Sequence, residues 1–341
     1  MNVETSPLAL TDEFAVLGAE TQAARLVSDL HQPNPRIYWA DLILTTFTGW
    51  TFLLVALNTS PAWQTALALA LSSLAFYRGL CFIHEIAHIR KLLLPGFETT
   101  WNLVLGVPLL MPSIVYVGVH QNHHMVSTYG TQDDPEYMPF AGNRLMVLAF
   151  LLQSVLLPAL MLLRFLVLAP VGLAVPVFHL WLAQKATALS MNVKYRRQVN
   201  AAILARIGRW EMVILVFWGS GLSLAFRGLL PWRFFAFWYV IHASISLINT
   251  LRTLAAHRYH TTGEPRDRAA QLRDSVDIPG GVWSELWAPV GLRYHAVHHF
   301  FPGIPYHNLG KAYRRLTKAL PAYRNTSKPS LAASLRDLVG L

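Results

Sequence analysis

The sequence predicts an all-α integral membrane protein of four to six transmembrane helices with a histidine-ligated metal site at one face. Three observations lead to this fold class. Hydrophobic residues make up 54% of the 341 residues and charged residues only 13%, which is too apolar for an ordinary soluble chain. Apolar blocks long enough to span a bilayer as helices recur along the chain. Three groups of histidines at helical spacing stand near the ends of these blocks.

The chain begins with mixed, polar sequence, and we interpret residues 1–38 as a cytosolic N-terminal segment that is partly helical around 11–30. The membrane domain is expected over 39–341, with a cytosolic cap at its C-terminal end. Its first span is predicted over 39–57 and ends at an Asn-Thr-Ser-Pro turn. The second span is predicted over 63–82 and continues as a helix into the first group of histidines.

Residues 101–118 are apolar, but they contain Gly106, Pro108 and Pro112. Because proline removes helical hydrogen bonds that lipid cannot replace, we predict a re-entrant or interfacial segment here rather than a straight span. Such a segment returns the chain to the side from which it came.

Two helical hairpins are predicted in the second half of the chain. The first covers 145–184 with its turn near 169–172, and the second consists of helices over 210–226 and 234–256. The loop between the hairpins is rich in lysine and arginine, which the positive-inside rule places in the cytosol. This threading gives six spans, or four if either hairpin lies in the interface, with both termini and all histidine groups on the cytosolic face.

The positive-inside rule also explains the net charge of +10. The sequence has no basic stripe with base-stacking aromatic residues, so it does not indicate nucleic-acid binding. Cys81 is the only cysteine. It excludes an intrachain disulfide and a cysteine-ligated iron–sulfur cluster within this chain. No cleaved signal peptide is expected, since the N-terminus lacks a basic region followed directly by an apolar core.

The three histidine groups read HEIAH at 84–88 (box one), HQNHH at 120–124 (box two) and HAVHH at 295–299 (box three). Positions i, i+3 and i+4 share one face of a helix, so each box can direct its imidazoles at one point. Imidazole is the commonest metal ligand, and eight histidines exceed what one tetrahedral zinc ion uses. A site for two metal ions is therefore predicted. The eight candidate ligands are His84, His88, His120, His123, His124, His295, His298 and His299.

His257 is a ninth candidate ligand, because it stands where the last predicted span leaves the bilayer. His260 lies one turn further on and is a ligand, a neighbour of the ligands or an exposed side chain. Glu85 is expected to orient a ligating histidine through its second ring nitrogen. His179 and His242 stand alone in apolar spans and are interpreted as packing residues. Five acidic residues are candidates for the same role as Glu85 or for solvated loop positions, namely Asp133, Asp134, Glu136, Asp274 and Asp277.

Two other classes of metal protein are alternatives to a two-metal enzyme. HEIAH also matches the H-E-x-x-H signature of zinc metalloproteases, with Glu85 as general base, but this leaves six boxed histidines unexplained. A metal transporter predicts histidines through the full membrane depth, whereas here the boxes collect on one face. A nitrogen-rich site for two metals suits iron and dioxygen.

Attack on an unactivated C–H bond with dioxygen requires two further electrons, and no electron-carrier motif is visible in the chain. A reductase with a ferredoxin, a rubredoxin or a cytochrome b5 is therefore expected as the electron donor. The basic cytosolic loops offer a docking surface for an acidic partner, although their role in fixing topology is sufficient without it.

The order of the three boxes resembles the membrane fatty acid desaturase and hydroxylase superfamily, over roughly residues 40–320. GTQDDPEY after box two and HHFFPGIPYHNL around box three resemble bacterial fatty acid desaturases. The resemblance implies that the eight boxed histidines bind two iron ions, and RTLAAH matches the segment that supplies an additional histidine, here His257. Acyl-CoA desaturases place an asparagine four residues before that histidine, where this chain has Thr253. The three residues between the histidines of box one are similar to the acyl-lipid branch.

This resemblance implies a di-iron, O2-dependent acyl-lipid desaturase that removes two hydrogens from an acyl chain held in a hydrophobic tunnel. Relatives with the same boxes hydroxylate acyl or alkyl chains, modify carotenoids, or convert fatty acids to terminal alkenes. We expect an integral protein of the bacterial inner membrane, with its active site facing the cytosol and a lipid or fatty acyl substrate. Residues expected to support the ligands are Glu85, Asp134, Thr253, His260 and Asp274.

Overall fold

The computed structural model describes residues 20–261 and 263–341. In these ranges every regular element is helical, which confirms the all-α class. Of the helix expected around 11–30, residues 20–27 are helical and lead into a 3-10 turn at Ser28–Leu30. The part of this prediction before residue 20 lies outside the described residues.

Thirteen α-helices follow, in chain order, over the described part of the chain. In the first half they are α1 (Pro35–Asn58), α2 (Ala62–His88), α3 (Phe97–Trp101), α4 (His120–His123), α5 (Arg144–Leu162), α6 (Ala169–Ala174) and α7 (Pro176–Lys185). In the second half they are α8 (Ala201–Phe226), α9 (Arg233–Ala256), α10 (Arg268–Asp274), α11 (His295–Phe300), α12 (Tyr306–Ala319) and α13 (Leu331–Val339).

Four helical segments of the described chain are long and apolar enough to cross a membrane, in agreement with the lower limit of the predicted count. They are Pro35–Asn58, Ala62–His88, Arg144–Ala174 and Arg233–Ala256. The first two and the last agree closely with the predicted spans. α8 is of similar length but carries Arg206, Arg209 and Glu211 in its first half, and it begins at Ala201 rather than at residue 210.

The predicted turn near 169–172 is wrong. The helix that begins at Arg144 runs through a π-helical stretch at Leu163–Leu168 and on to Ala174, so the break lies at Val175. Pro170 is tolerated because it occupies the first turn of α6, where no partner for its missing N–H is needed. α7 has only 10 residues, too few to complete a membrane-spanning hairpin.

The interrupted segment predicted over 101–118 is present. The chain passes from α3 into a π-helical stretch at Asn102–Gly106, then through turns to a 3-10 turn at Ser113–Val115. The buried Asn102 side chain joins the two arms, because its Oδ1 accepts from Ser113 N at 2.7 Å and its Nδ2 donates to Ser113 Oγ at 2.9 Å. This link returns the chain directly to box two.

Asparagine, aspartate and serine side chains begin several of these helices. Each accepts a backbone N–H of the first turn, which would otherwise have no partner. Asn34 caps α1 and Asn143 caps α5, while Asn200 caps α8. Asp267 and Ser330 act in the same way at α10 and α13.

α9 lies at the centre of the helix bundle, packed against both α2 and α5, while α1 and α2 form an antiparallel hairpin. Gly49 of α1 allows the close approach of α2, since a Cβ there would lie 2.5 Å from the Phe76 ring. The polar C-terminal region forms a cap, in which α11 and α12 share an apolar core with residues 20–30. The bundle therefore brings the ends of α2 and α9 beneath this cap.

The two lone histidines have the packing roles predicted for them. His179 Nε2 lies 2.9 Å from Glu211 Oε2, and Glu211 also pairs with Arg164 of the long apolar helix. His242 packs against the Trp238 ring with centroids 5.1 Å apart. The Arg164–Glu211 pair thus joins α8 to the π-helical stretch through buried charges of opposite sign.

Candidate metal centre

Nine histidines meet where α2 and α9 end, and they form two neighbouring clusters. The possible ligand atoms in each cluster lie within 4.8 Å of one another. Cluster A consists of His84, His88, His120, His124 and His298. Cluster B consists of His123, His257, His295 and His299. Eight of these nine are the boxed histidines that the spacing singled out, and the ninth is His257, a candidate from its position at the end of the last predicted span. Each cluster can hold one metal ion.

The expectation that each box points at a single position holds only for box one. In box two His120 and His124 face cluster A, whereas His123 faces cluster B. Successive residues of an α-helix are rotated by roughly 100°, so neighbouring histidines diverge while those four apart remain aligned. Box three divides in the same way, with His298 in cluster A. The two short helices α4 and α11 therefore lie between the clusters, and boxes two and three each contribute histidines to both.

The spacing between the imidazole nitrogens fits a shared cation. In cluster B, His257 Nε2 lies 2.8 Å from His295 Nε2 and 3.3 Å from His123 Nε2. In cluster A, His124 Nε2 lies 3.0 Å from His120 Nε2. Nitrogens about 2.1 Å from one metal ion are about 3.0 Å apart at an octahedral edge and about 3.4 Å apart in a tetrahedron.

Two rings of cluster B have hydrogen-bond partners on the side that faces away from the cluster. His123 Nδ1 lies 2.9 Å from Asp134 Oδ1, and His257 Nδ1 lies 2.9 Å from the Tyr129 hydroxyl. If Nδ1 carries the proton in each ring, the two Nε2 lone pairs face one another in cluster B. His84 has neither ring nitrogen hydrogen-bonded although both are buried. A cation satisfies these groups, and the donor set therefore fits a metal ion at each cluster.

Asp134 holds His123 in place and is itself fixed by the backbone. Its carboxylate accepts from Gly130 N and from Glu136 N, each at 2.9 Å. Asp134 is fully buried, whereas the adjacent Asp133 is exposed. The acidic turn after box two thus directs one of its two aspartates at the centre.

Tyr129 links His257 to Asp274. The Tyr129 hydroxyl donates to Asp274 Oδ2 at 2.8 Å while it lies 2.9 Å from His257 Nδ1. On the side of cluster A, His120 Nδ1 lies 2.8 Å from Glu136 Oε1 and 2.9 Å from the Tyr116 hydroxyl. Such partners fix the tautomer and the direction of a ligating ring.

Asp277 positions box three through hydrogen bonds from its side chain to the backbone N–H groups of box three. Its Oδ1 accepts from Ala296 N at 2.9 Å and from Val297 N at 3.3 Å, at the start of α11. Its Oδ2 accepts from the Tyr323 hydroxyl at 2.8 Å. Asp277 is buried, so it ties the histidine-bearing helix to the C-terminal cap.

The electrostatics of the site keep most of the imidazoles neutral. Burial lowers the pKa of His120 and His298 well below the ordinary range, and neighbouring histidines lower it further. Burial also lowers the pKa of His123, but the Asp134 carboxylate outweighs it and leaves that pKa raised. Burial raises the pKa of the Glu136 carboxyl to about 7. Neutral imidazole is the form that binds a metal ion.

Three of the residues expected to support the ligands lie elsewhere or have other partners. His260 is exposed and belongs to neither cluster. Glu85 accepts from Tyr38 and from Tyr306 N, and its other oxygen lies 3.8 Å from His84 Nδ1. Thr253 lines a cavity beside the centre and accepts from Tyr259 through its carbonyl oxygen.

The tyrosines at 116 and 129 were not predicted from sequence. Tyr116 precedes His120 by one helical turn, and this spacing was an available signal. Tyr129 lies far from His257 in sequence, so nothing local to either residue indicated the contact. Arg252, which lines the cavity beside the centre, was also not predicted to have a role.

A cavity of about 150 Å³ reaches the centre at His84. It lies among α2, α5 and α9, which contribute Leu80, Phe150 and Ile245 to an apolar wall. A cavity of this size holds a group about as large as benzene. The arrangement can therefore present part of an apolar molecule to the metal clusters.

Two comparisons show which known proteins this chain resembles in sequence. The family model described as "Fatty acid desaturase" matches residues 58–328, a range that contains all nine histidines and the cavity. A ceramide hydroxylase from Caulobacter vibrioides is 40% identical over an alignment of 332 positions, which covers 93% of this chain and 92% of that protein.

Proposed function

Because the chain belongs to the fatty acid desaturase family, we propose that it is a di-iron, O2-dependent lipid hydroxylase whose substrate is a ceramide. The observation that carries this proposal is the identity of 40% to a ceramide hydroxylase over 93% of the chain. That alignment extends well beyond the histidine boxes and includes the helices that line the cavity. Hydroxylation is therefore favoured over the desaturation expected from the boxes alone.

The reaction replaces one C–H bond of the lipid by C–OH. One atom of dioxygen enters the product and the other leaves as water, which consumes two electrons and two protons. Iron ions at clusters A and B would supply the activation of dioxygen for attack on the C–H bond. The electrons come from a reductase acting through a ferredoxin, a rubredoxin or a cytochrome b5, since the chain carries no motif for an electron carrier.

The residues of the chain hold the centre and position the lipid. Asp134 and Tyr129 keep the Nε2 atoms of His123 and His257 directed at cluster B. His84 of cluster A lines the cavity, so the carbon to be oxidised is placed beside it. The apolar side chains on one wall of the cavity, among them Leu80, Phe150 and Ile245, exclude water from the reacting carbon.

Desaturation is the second candidate, and the description of the matching family favours it. It shares the abstraction of the first hydrogen, but a second hydrogen is then removed from the neighbouring carbon and both oxygen atoms leave as water. Carotenoid modification and terminal-alkene formation belong to the same superfamily and remain more distant alternatives. A zinc protease needs only three protein ligands, which leaves most of the nine clustered histidines without a role.

We further propose that the protein lies in a bacterial inner membrane with its histidine clusters on the cytosolic side. The family and the four apolar segments support an integral membrane protein. The cytosolic orientation rests on the lysine- and arginine-rich region of 185–209 and on the positive-inside rule. On this proposal residues 1–38 and the C-terminal cap are also cytosolic.

The test is mass spectrometry of ceramides and fatty acids from cells with and without the protein, grown with isotopically labelled dioxygen and a matched reductase. We expect ceramides heavier by one labelled oxygen, and none in cells that produce His123→Ala. Lipids lighter by two hydrogens would establish desaturation instead. Unchanged lipids despite a folded, iron-loaded protein would refute both and return the zinc protease to consideration.

A further inference from the structure

The cavity beside cluster A has a polar wall that an acyl chain does not need. Gln153 of α5 lies on this wall, together with Asn249, Arg252 and Thr253 of α9. The three residues of α9 are spaced so that they share one face of the helix. An alkyl chain gains nothing from such groups, since their burial costs free energy unless they are hydrogen-bonded.

Arg252 is the most unusual member of this wall. Within the described part of the chain it forms no ion pair, and its Nη2 donates to the amide oxygen of Asn249 at 3.0 Å. Its Nε is buried and has no hydrogen-bond partner. By contrast Arg78 and Arg164, which also lie within long apolar helical segments, pair with Asp41 and Glu211 respectively. An arginine carries five N–H donors, so Arg252 has donors available for a ligand in the cavity.

The position of Arg252 places such a ligand close to the metal clusters. Arg252 precedes the cluster B residue His257 on the last turns of α9, and it lines the same cavity as the cluster A residue His84. The cavity of about 150 Å³ can hold a small polar group with its adjoining carbons.

We infer that Arg252, Asn249 and Gln153 bind the oxygen-bearing polar end of the lipid substrate, and that the hydroxyl group is therefore introduced within a few carbons of that end. This inference rests on the proposed function for the choice of ceramide, whose amide carbonyl would accept from the Arg252 guanidinium. A carboxylate offers the same oxygen chemistry, so a free fatty acid is the second possible source.

Binding to the full-length protein in detergent tests this recognition without turnover. The ligands are a short-chain ceramide, its analogue with the amide carbonyl reduced to methylene, and a fatty acid of equal chain length. For the unaltered protein we expect ceramide to bind at least tenfold more tightly than the reduced analogue, since hydrogen bonds to a charged group are the stronger ones. Arg252→Gln is expected to remove that preference and Arg252→Lys to retain part of it.

Arg227→Gln, which removes a charge at the exposed turn after α8, is the matched control and is expected to keep the preference. Equal ceramide binding by Arg252→Gln and the unaltered protein would overturn the inference. Tight, Arg252-dependent binding of the fatty acid alone would support recognition of a lipid oxygen by Arg252. The ligand would then be a carboxylate rather than the ceramide amide. If Arg252→Gln does not retain iron and a folded state, Asn249→Ala and Gln153→Leu provide the same comparison.

The position of the product hydroxyl is the second readout. Fragmentation of the product is expected to place the hydroxyl near the amide in the unaltered protein and over several carbons in Arg252→Gln. A hydroxyl in the middle of the chain in the unaltered protein would overturn the inference. Arg252-dependent ceramide binding without any hydroxylation would support the recognition of the polar end and would refute the proposed activity together with the predicted hydroxyl position.

Discussion

Replacing Asp134 with asparagine changes the hydrogen bonding of one ligand and almost nothing of its shape. The carboxylate accepts from His123 Nδ1 and from two backbone N–H groups. Asparagine offers one acceptor oxygen, and its NH2 group cannot accept from the remaining donors. His123 therefore loses the partner that fixes its tautomer and its direction toward cluster B.

The loss of such a partner typically weakens metal binding 10- to 100-fold, which is about 1.4–2.7 kcal/mol. We expect this effect at cluster B. Cluster A is expected to keep its affinity, since its five histidines lie outside this contact. Asp134→Asn should thus bind one equivalent of metal as tightly as the unaltered protein and a second equivalent more weakly.

The assay is anaerobic titration of the metal-free, detergent-solubilised protein with Fe2+, followed by measurement of iron retained after gel filtration. Asp133→Asn is the matched control, because it removes the same charge from the adjacent, exposed position. Two equivalents retained with equal affinity in both variants would show that Asp134 does not support a ligand. A loss of both equivalents in Asp134→Asn alone would show that the two clusters do not bind separately.

Three further changes test other parts of the structure. Tyr129→Phe breaks the link from His257 to Asp274 and should weaken the second equivalent of Fe2+ roughly tenfold; unchanged binding would contradict the link. Glu211→Gln leaves the buried Arg164 charge without its carboxylate, so the free energy of unfolding should fall by about 3–5 kcal/mol, measured as a lower thermal midpoint. His260→Ala should retain both equivalents of Fe2+, and the loss of one would make His260 a ligand.

Helical spacing was sufficient to select the eight boxed histidines, because it is a local property that survives folding, whereas His257 was selected by its position at the end of a predicted span. The sequence was not sufficient to divide them between clusters A and B. That division depends on where α4 and α11 lie relative to the ends of α2 and α9. The sequence of box two is compatible with histidines that all face one metal position or that face two. Only the position of His123 beside His257 decides between these arrangements.

The supporting residues were less predictable for a similar reason. Asp133 and Asp134 are neighbours in one acidic turn, and their order in the chain does not indicate which side chain turns inward. The turn expected near 169–172 failed because proline followed by glycine is an ambiguous signal in an apolar helix. Pro170 needs only a position in the first turn of a helical segment, which α6 supplies after a π-helical stretch.

The two long helices that carry ligands both run toward the centre and end there. α2 ends at His88, and α9 ends at the residue before His257. Peptide dipoles add along a helix, so each C-terminus carries about half a negative charge, and this field is screened less in apolar surroundings than in water. The backbone would therefore offset part of the charge of a dipositive ion bound at either cluster, where every candidate ligand side chain is an imidazole.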